Sequence, residues 1–237
     1  MNLKYDCHIH SCLSPCGDND MTPYNLVNMA KLLGYDIIAL TDHNSCLNCP
    51  AALKAGEEAG ITVVPGMELC TSEEIHAVCL FPDLKKALEF SDYVKSTMPP
   101  VKNDASIFGE QLIMDSTDRI IGNEEILLTA ASGISIDDAV KEVSRFGGAV
   151  FPAHLDRASY SVLSVLGFMY PEMGFAAAEF THKAYIPQYE EKHPLLKEMK
   201  KLRNSDAHYL ENMVEPLVEI DLPECSAEAV VSYLNSK

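Results

Sequence analysis

His8 and His10 stand two residues apart at the end of the first predicted strand, in the run Cys7-His8-Ile9-His10. Side chains at i and i+2 of a strand share a face, so both imidazoles can converge on one point. Further ligand-type residues recur along the chain: Asp42-His43 after a second apolar run, Glu68 after a third, His76 within a fourth, His154 after a fifth, and Asp206-Ala207-His208 near the end. A single histidine on an apolar strand is more often structural than a ligand. Six at strand ends, with carboxylates among them, are what a metal centre at the mouth of a barrel requires.

The elements that must position these groups alternate strand and helix. Leu3–Ile9 reads as a strand; Thr22 caps a helix with Pro23 at its first position, ending at Gly34. Ile37–Leu40 is a short buried strand, Ala51–Ala59 a helix stopped by Gly60, and Ile61–Val64 and Ile75–Phe81 are the next strands. Ser135 with Asp138 forms a capping-box pattern for a helix closed by Gly147-Gly148, after which Ala149–Phe151 returns as a strand. Ala176–Phe180, Lys201–Arg203 and Leu217–Ile220 complete the strands, and Ser226 caps a last helix. Such alternation favours a parallel sheet, open or closed. The stretch from about residue 83 to 133 breaks the rhythm with Pro99-Pro100 and a polar hairpin around Asp115-Ser116-Thr117-Asp118. It reads as an insertion within one domain, residues 1–237, either covering the site or packing outside it.

Composition bounds the function. At 237 residues and 47% hydrophobic content, the chain can bury a full core as one domain. It opens almost at once on an apolar strand, and no apolar run approaches a membrane span, so a soluble cytoplasmic enzyme without a membrane partner is expected. A net charge of −17 argues against long nucleic acid, whose binding rests on Lys and Arg neutralising phosphates, and leaves small phosphorylated substrates held through cations. The eight cysteines read as reduced thiols. Cys46-Leu-Asn-Cys49 has zinc or redox spacing, and Cys12 and Cys16 lie near the His pair; buried small residues near helix starts and a Cys-ligated zinc or iron–sulfur site are the two readings.

With His8-Ile9-His10, Asp18, Thr22-Pro23, Thr41-Asp42-His43-Asn44, Gly66-Met67-Glu68, His76, His154 and Asp206-Ala207-His208 laid out, the chain resembles the polymerase-and-histidinol-phosphatase (PHP) family of metal-dependent phosphoesterases. The resemblance keeps the order of every ligand motif. It implies an α/β fold, a distorted seven-stranded β/α (TIM-like) barrel with up to three metal ions at the carboxyl ends of the strands. By the same resemblance, His8, His10, Glu68 and Asp206 hold one divalent ion, Glu68, His76 and His154 a second, and Asp18, His43 and His208 a third. The smaller members have a short Ser-Asp-Gly turn after the His pair. This chain has the longer Cys12-Leu-Ser-Pro-Cys16-Gly-Asp18-Asn-Asp20, so Asp18 and Asp20 both stand as the carboxylate.

Three divalent ions against three carboxylates leave about +3 to face a phosphate, which favours a phosphoester over a neutral amide. A carboxylate bridging two ions holds them roughly 3.5–4 Å apart, with a bridging hydroxide as nucleophile. Mixed imidazole–carboxylate sites accept Zn²⁺, Mn²⁺ or Fe²⁺, two or three ions in all. Asp42 either orients an imidazole through its ring N–H or caps a helix start. Arg157, three residues after His154, can grip the substrate phosphate; a surface salt bridge is the other reading. His182 can bind substrate and protonate the leaving oxygen, or is polar rim. The expected function is hydrolysis of a small phosphomonoester, nucleotide or short oligonucleotide. Two alternatives stay open: an amidohydrolase-like deacylase, a class that uses a bridging lysine where this chain has Glu68, and a non-catalytic PHP module that binds metal or a partner.

Overall fold

The computed structural model describes residues 1–216 and 218–236. Helix starts and stops follow local chemistry. After β1 (Asn2–Ile9), α1 (Pro23–Leu33) is capped by Thr22, whose side chain accepts from Asn25 N–H, and ends at Gly34 with φ 84°. Next come β2 (Ile37–Leu40), α2 (Cys49–Ala59), β3 (Thr62–Cys70) and β4 (His76–Leu80). They are followed by α3 (Leu84–Thr97), α4 (Ala105–Phe108), β5 (Leu112–Met114) and β6 (Ile120–Asn123). Ser135 caps α5 (Ile136–Arg145) by accepting from Asp138 N–H, and β7 (Ala149–Pro152) and α6 (Val162–Val165) follow. The chain closes with β8 (Ala177–Glu179), α7 (Ile186–Lys192), β9 (Lys200–Leu202), β10 (Glu219–Asp221) and α8 (Ala227–Asn235). The strand expected over Leu217–Ile220 is found as β10, and Leu217 lies outside the described residues.

Six strands form one curled sheet in the order β10-β1-β2-β3-β4-β7, while β5-β6 and β8-β9 are separate pairs. The expected closed seven-stranded barrel is thus absent as a continuous ladder among the described residues. Nor is the sheet all parallel: β1, β2 and β3 run parallel, but β4 returns antiparallel to β3 and pairs antiparallel with β7. The five residues 71–75 between β3 and β4 are too few for a crossover, so a hairpin results. The two strands also approach closely at Gly66, where a Cβ would lie 2.4 Å from the Cys79 carbonyl oxygen.

Apolar side chains cover the sheet on both faces. Ile38, Leu40, Met67, Phe81 and Phe90 pack in one cluster, and Tyr5, Ile37, Val64, Val78 and Phe151 in the other. Each such fully buried side chain contributes about 1.5–3 kcal/mol, so groups at the strand ends ride on a rigid support. The segment expected as an insertion divides in two. Ala87, Phe90 and Val94 of α3 belong to the main core. Residues beyond it dock on the loops that carry site residues: Leu112 N–H donates to Cys12 O at 2.9 Å, and Asn44 Nδ2 donates to Leu128 O at 2.8 Å. No described helix is long and apolar enough to cross a membrane.

Candidate metal centre

Glu68, near the end of β3, holds its carboxylate 1% exposed amid five imidazoles. Its Oε1 lies 3.0 Å from His76 Nδ1, 3.2 Å from His8 Nε2 and 3.3 Å from His154 Nε2. Its Oε2 lies 3.0 Å from His43 Nδ1 and 3.3 Å from His10 Nε2. These rings arrive from the ends of β1, β2 and β7 and the start of β4, which is the same side of the sheet because β4 runs against its neighbours. Asp206 Oδ1 completes the ring at 3.3 Å from His8 Nε2 and 3.2 Å from His10 Nε2, and His208 stacks on His10 with centroids 4.0 Å apart.

Ligand atoms of three sets each lie within 4.8 Å of one another: His8, His10, Glu68 and Asp206; His43, Glu68 and His76; and His10, His43 and His208. His154 joins through Glu68, with its Nε2 3.3 Å from Oε1. Asp206 Oδ1 and His43 Nδ1 are buried with no hydrogen-bond partner. An orphaned buried polar atom costs about 1–3 kcal/mol, a deficit that a cation held by each one's own ligand set would remove. His154 and Asp206 also hold left-handed backbone, at φ 30° and 51°, a conformation that non-glycine residues keep where function demands it. The donor set fits divalent metal ions.

Partners behind the rings fix their orientation. Glu179 accepts from His8 Nδ1–H at 3.0 and 3.1 Å and from His154 N–H at 2.9 Å. His10 Nδ1–H donates to Ser14 Oγ at 2.9 Å, and Ser14 donates on to Asp42 at 2.7 Å. In both cases Nε2 is left bare toward the centre. Burial disfavours charge on Glu68, but His76, His8 and His43 outweigh it and hold the carboxyl well below the usual range. Likewise burial would lower His8, yet Glu179, Asp206 and Glu68 raise it well above its ordinary value. Protons and metal ions therefore compete for the same imidazole nitrogens.

The structure brings His8, His10, His43, Glu68, His76, His154, Asp206 and His208 together, with Arg157 beside them. Arg157 Nη1 pairs with Asp206 Oδ2 at 2.5 Å, and its half-exposed guanidinium lines a cavity of about 100 Å³ over Glu68 and the histidines. Asp18 is not brought in: its carboxylate accepts from Asp20 N–H at 2.8 Å, and Asp20 is exposed. Asp42 touches no imidazole; it accepts from Ser11 N–H and Oγ and from Ser14, one hydroxyl away from His10, and it caps no helix, since α2 starts at Cys49. His182 is exposed and lies edge-on to Tyr185, because Asp156 binds Thr181 and the His182 N–H and turns the chain away from the cavity. Cys46 and Cys49 are buried, with Gly66 O in reach of both thiols, and join no three-ligand group among the described residues. No residue of 83–133 lines the cavity among those described.

Sequence reasoning missed Glu179, Ser14 and Tyr160. Glu179 had a signal, as the one charge in the apolar run Phe175–Phe180. Tyr160 stacks on His76 at 4.7 Å, at the mouth of the cavity, with φ 56°; nothing in its sequence neighbourhood marks it. Cys16 contacts His208 and His43; burial works against its thiolate, but those two rings bring the thiol down to about 5.

Comparison with known proteins sets this geometry in a family. A protein of Methanocaldococcus jannaschii with no assigned function is 35% identical over 95 residues, 36% of this chain and 56% of that protein. A 5'-3' exoribonuclease of Haemophilus influenzae is 37% identical over 83 residues, 34% of this chain and 29% of that protein. These matches thus take in little more than half, or less, of the curated relatives' length. The lesion-specific endonuclease from Pyrococcus furiosus shares the fold with TM-score 0.68 at 17% identity, over 99% of this chain and 56% of that one. An endonuclease Q structure, with TM-score 0.65 at 16% identity over 99% of this chain and 56% of that one, holds a 27-mer duplex with an abasic lesion at its active site. These findings overturn the exclusion of long nucleic acid that the charge of −17 suggested. Net charge sums the whole surface, whereas bound divalent ions concentrate positive charge where a phosphate must sit. The model of the PHP domain matches residues 6–214, from before His8 to beyond His208, and the chain belongs to the PHP domain family.

Proposed function

We propose that this chain is a metal-dependent hydrolase of phosphoesters, acting as a nuclease on phosphodiester bonds. The observation that carries this reading is Glu68, whose two oxygens face different sets of imidazoles and so are arranged to be shared between ions. On this reading His8, His10, Glu68 and Asp206 hold one ion, Glu68 with His43, His76 and His154 a second, and His10, His43 and His208 border a third position. When bound, such ions supply Lewis acidity toward a phosphoryl oxygen and lower the pKa of water to about 7. The protein contributes orientation. Asp206 keeps Oδ1 toward His8 and His10 while Oδ2 anchors Arg157, which lines the cavity and would grip non-reacting phosphate oxygens there. Tyr160 offers a ring beside them.

The barrel expected from the sequence also belongs to this proposal. Leu155 N–H donates to Glu179 O, and Ile9 bridges Ala207 in parallel, which supports reading β1, β2, β3, β4, β7, β8 and β9 as one distorted ring around the site. The deacylase alternative is not favoured, because the cavity lining has no lysine among the described residues. Incubating the chain with Mn²⁺, Zn²⁺ or Fe²⁺ and RNA and DNA oligonucleotides, single- and double-stranded, alongside mononucleotides and acyl amides, tests the reading. Phosphodiester cleavage that a chelator abolishes is expected. Amide hydrolysis, or no ester cleavage with any of the metals, would overturn it.

A further inference from the structure

The His10, His43 and His208 triad has no carboxylate of its own. The residue expected to supply one, Asp18, is turned back on Asp20 N–H by the loop that carries it. That loop is tight: Ser14 N–H donates to Ser11 O and Gly17 N–H to Ser14 O, and a Cβ at Gly17 would lie 2.6 Å from Ser11 O. Its far end is pinned to the site by Asp18 N–H donating to His208 O at 2.8 Å. Between these fixed points Cys16 projects onto the rings of His208 and His43. The triad otherwise offers three imidazoles and no anionic group, and one of them, His43, is 4% exposed with no well-formed hydrogen bond at Nδ1.

We propose that Cys16 is the anionic ligand of this triad, making a three-histidine, one-thiolate position that selects a thiophilic divalent ion such as Zn²⁺ or Fe²⁺ over Mg²⁺ or Mn²⁺. The inference rests on the metal-centre reading above. Cys16 Sγ contacts two of the three rings, His208 and His43, and so stands beside an ion that they would hold. Binding releases the thiol proton to solvent and transfers no electron. The thiolate carries the same single charge as the carboxylate it replaces, so the charge balance facing a phosphate is unchanged.

Cobalt substitution of the full chain reads this directly. Co²⁺ bound by a thiolate shows sulfur-to-metal charge-transfer absorption in the near ultraviolet, and the wild-type chain should show it. Cys16→Ser should lose the band while still taking up cobalt beside Glu68, and zinc X-ray absorption should lose its sulfur shell at about 2.3 Å. Cys16→Asp should keep the third ion without the band. A band that persists in Cys16→Ser, or wild-type cobalt uptake with no band, would overturn the thiolate ligand and leave the metal centre standing. A wild-type chain that takes up no cobalt would overturn the metal centre itself.

Discussion

Glu179 accepts the His8 Nδ1–H with both carboxylate oxygens, at 3.0 and 3.1 Å, and thereby aims His8 Nε2 at Glu68 and Asp206. A carboxylate behind a ligating imidazole fixes its tautomer and raises its basicity. Glu179→Gln should therefore weaken metal affinity roughly 10- to 100-fold while the fold persists. Competition titration against a chromophoric chelator measures it, and an unchanged affinity would reduce Glu179 to a buried structural acid.

Arg157 contributes no ligand atom, so Arg157→Ala should leave bound metal in place and lower kcat/KM for phosphoesters. One charge-assisted contact is worth about 1.5–3 kcal/mol, or roughly ten- to a hundredfold. Lysine should restore the charge but not the planar fork, and so rescue in part. Steady-state kinetics equal to wild type would confine Arg157 to its pair with Asp206.

Ser14 relays orientation from Asp42 to His10 and also accepts His43 N–H at 3.2 Å. Ser14→Ala leaves three buried groups short of a partner and should destabilise the metal-free chain by about 1–3 kcal/mol. Urea unfolding in chelator gives the number; no loss of stability would mean that the relay carries no load.

Stability should depend on pH with opposite sign in the two forms. In the metal-free chain burial lowers His8, His10 and His43, but Glu179, Asp206 and Glu68 raise His8, Asp206 and Glu68 raise His10, and Glu68 with Cys16 raises His43, all above the ordinary value. The folded state then keeps protons that the unfolded chain sheds near pH ~6.5, so this stabilisation is full below that pH and is lost as pH rises through the raised values. His76, lowered chiefly by burial, and Cys16, brought down to about 5 by His208 and His43 against its burial, have the opposite sign but are outnumbered by His8, His10 and His43. Metal binding requires the imidazoles to lose those protons, so the loaded protein gains stability over the same interval. Melting temperatures in chelator should fall as pH rises above about 6.5, and those in saturating Zn²⁺ should rise. Parallel trends would contradict the account.

Strand ends, caps and ligand order were legible because each depends on neighbours in sequence: Thr22 and Ser135 cap the helices they precede, and His8 and His10 share a face by spacing alone. What failed depends on contacts between distant segments. The direction of β4 follows from a short hairpin rather than from periodicity. Glu179 lies 171 positions from His8, its partner. Asp18 and Cys16 are two residues apart, and the tight loop through Gly17 brings Cys16 to His43 while Asp18 turns back on Asp20 N–H. Charge failed for another reason: −17 describes the polypeptide without the ions its site is built to hold.

The central claim is that Glu68 is shared between ions that make the site hydrolytic. Elemental analysis of reconstituted wild-type and Glu68→Gln protein, with phosphodiester hydrolysis assayed on the same preparations, tests it most directly. The account predicts two or three ions per chain in the wild type, and in Glu68→Gln a loss of ions and of turnover together, because the amide keeps the shape but not the charge that offsets two cations. Full metal occupancy with near-normal turnover in Glu68→Gln, or less than one ion per chain in the wild type, would contradict it.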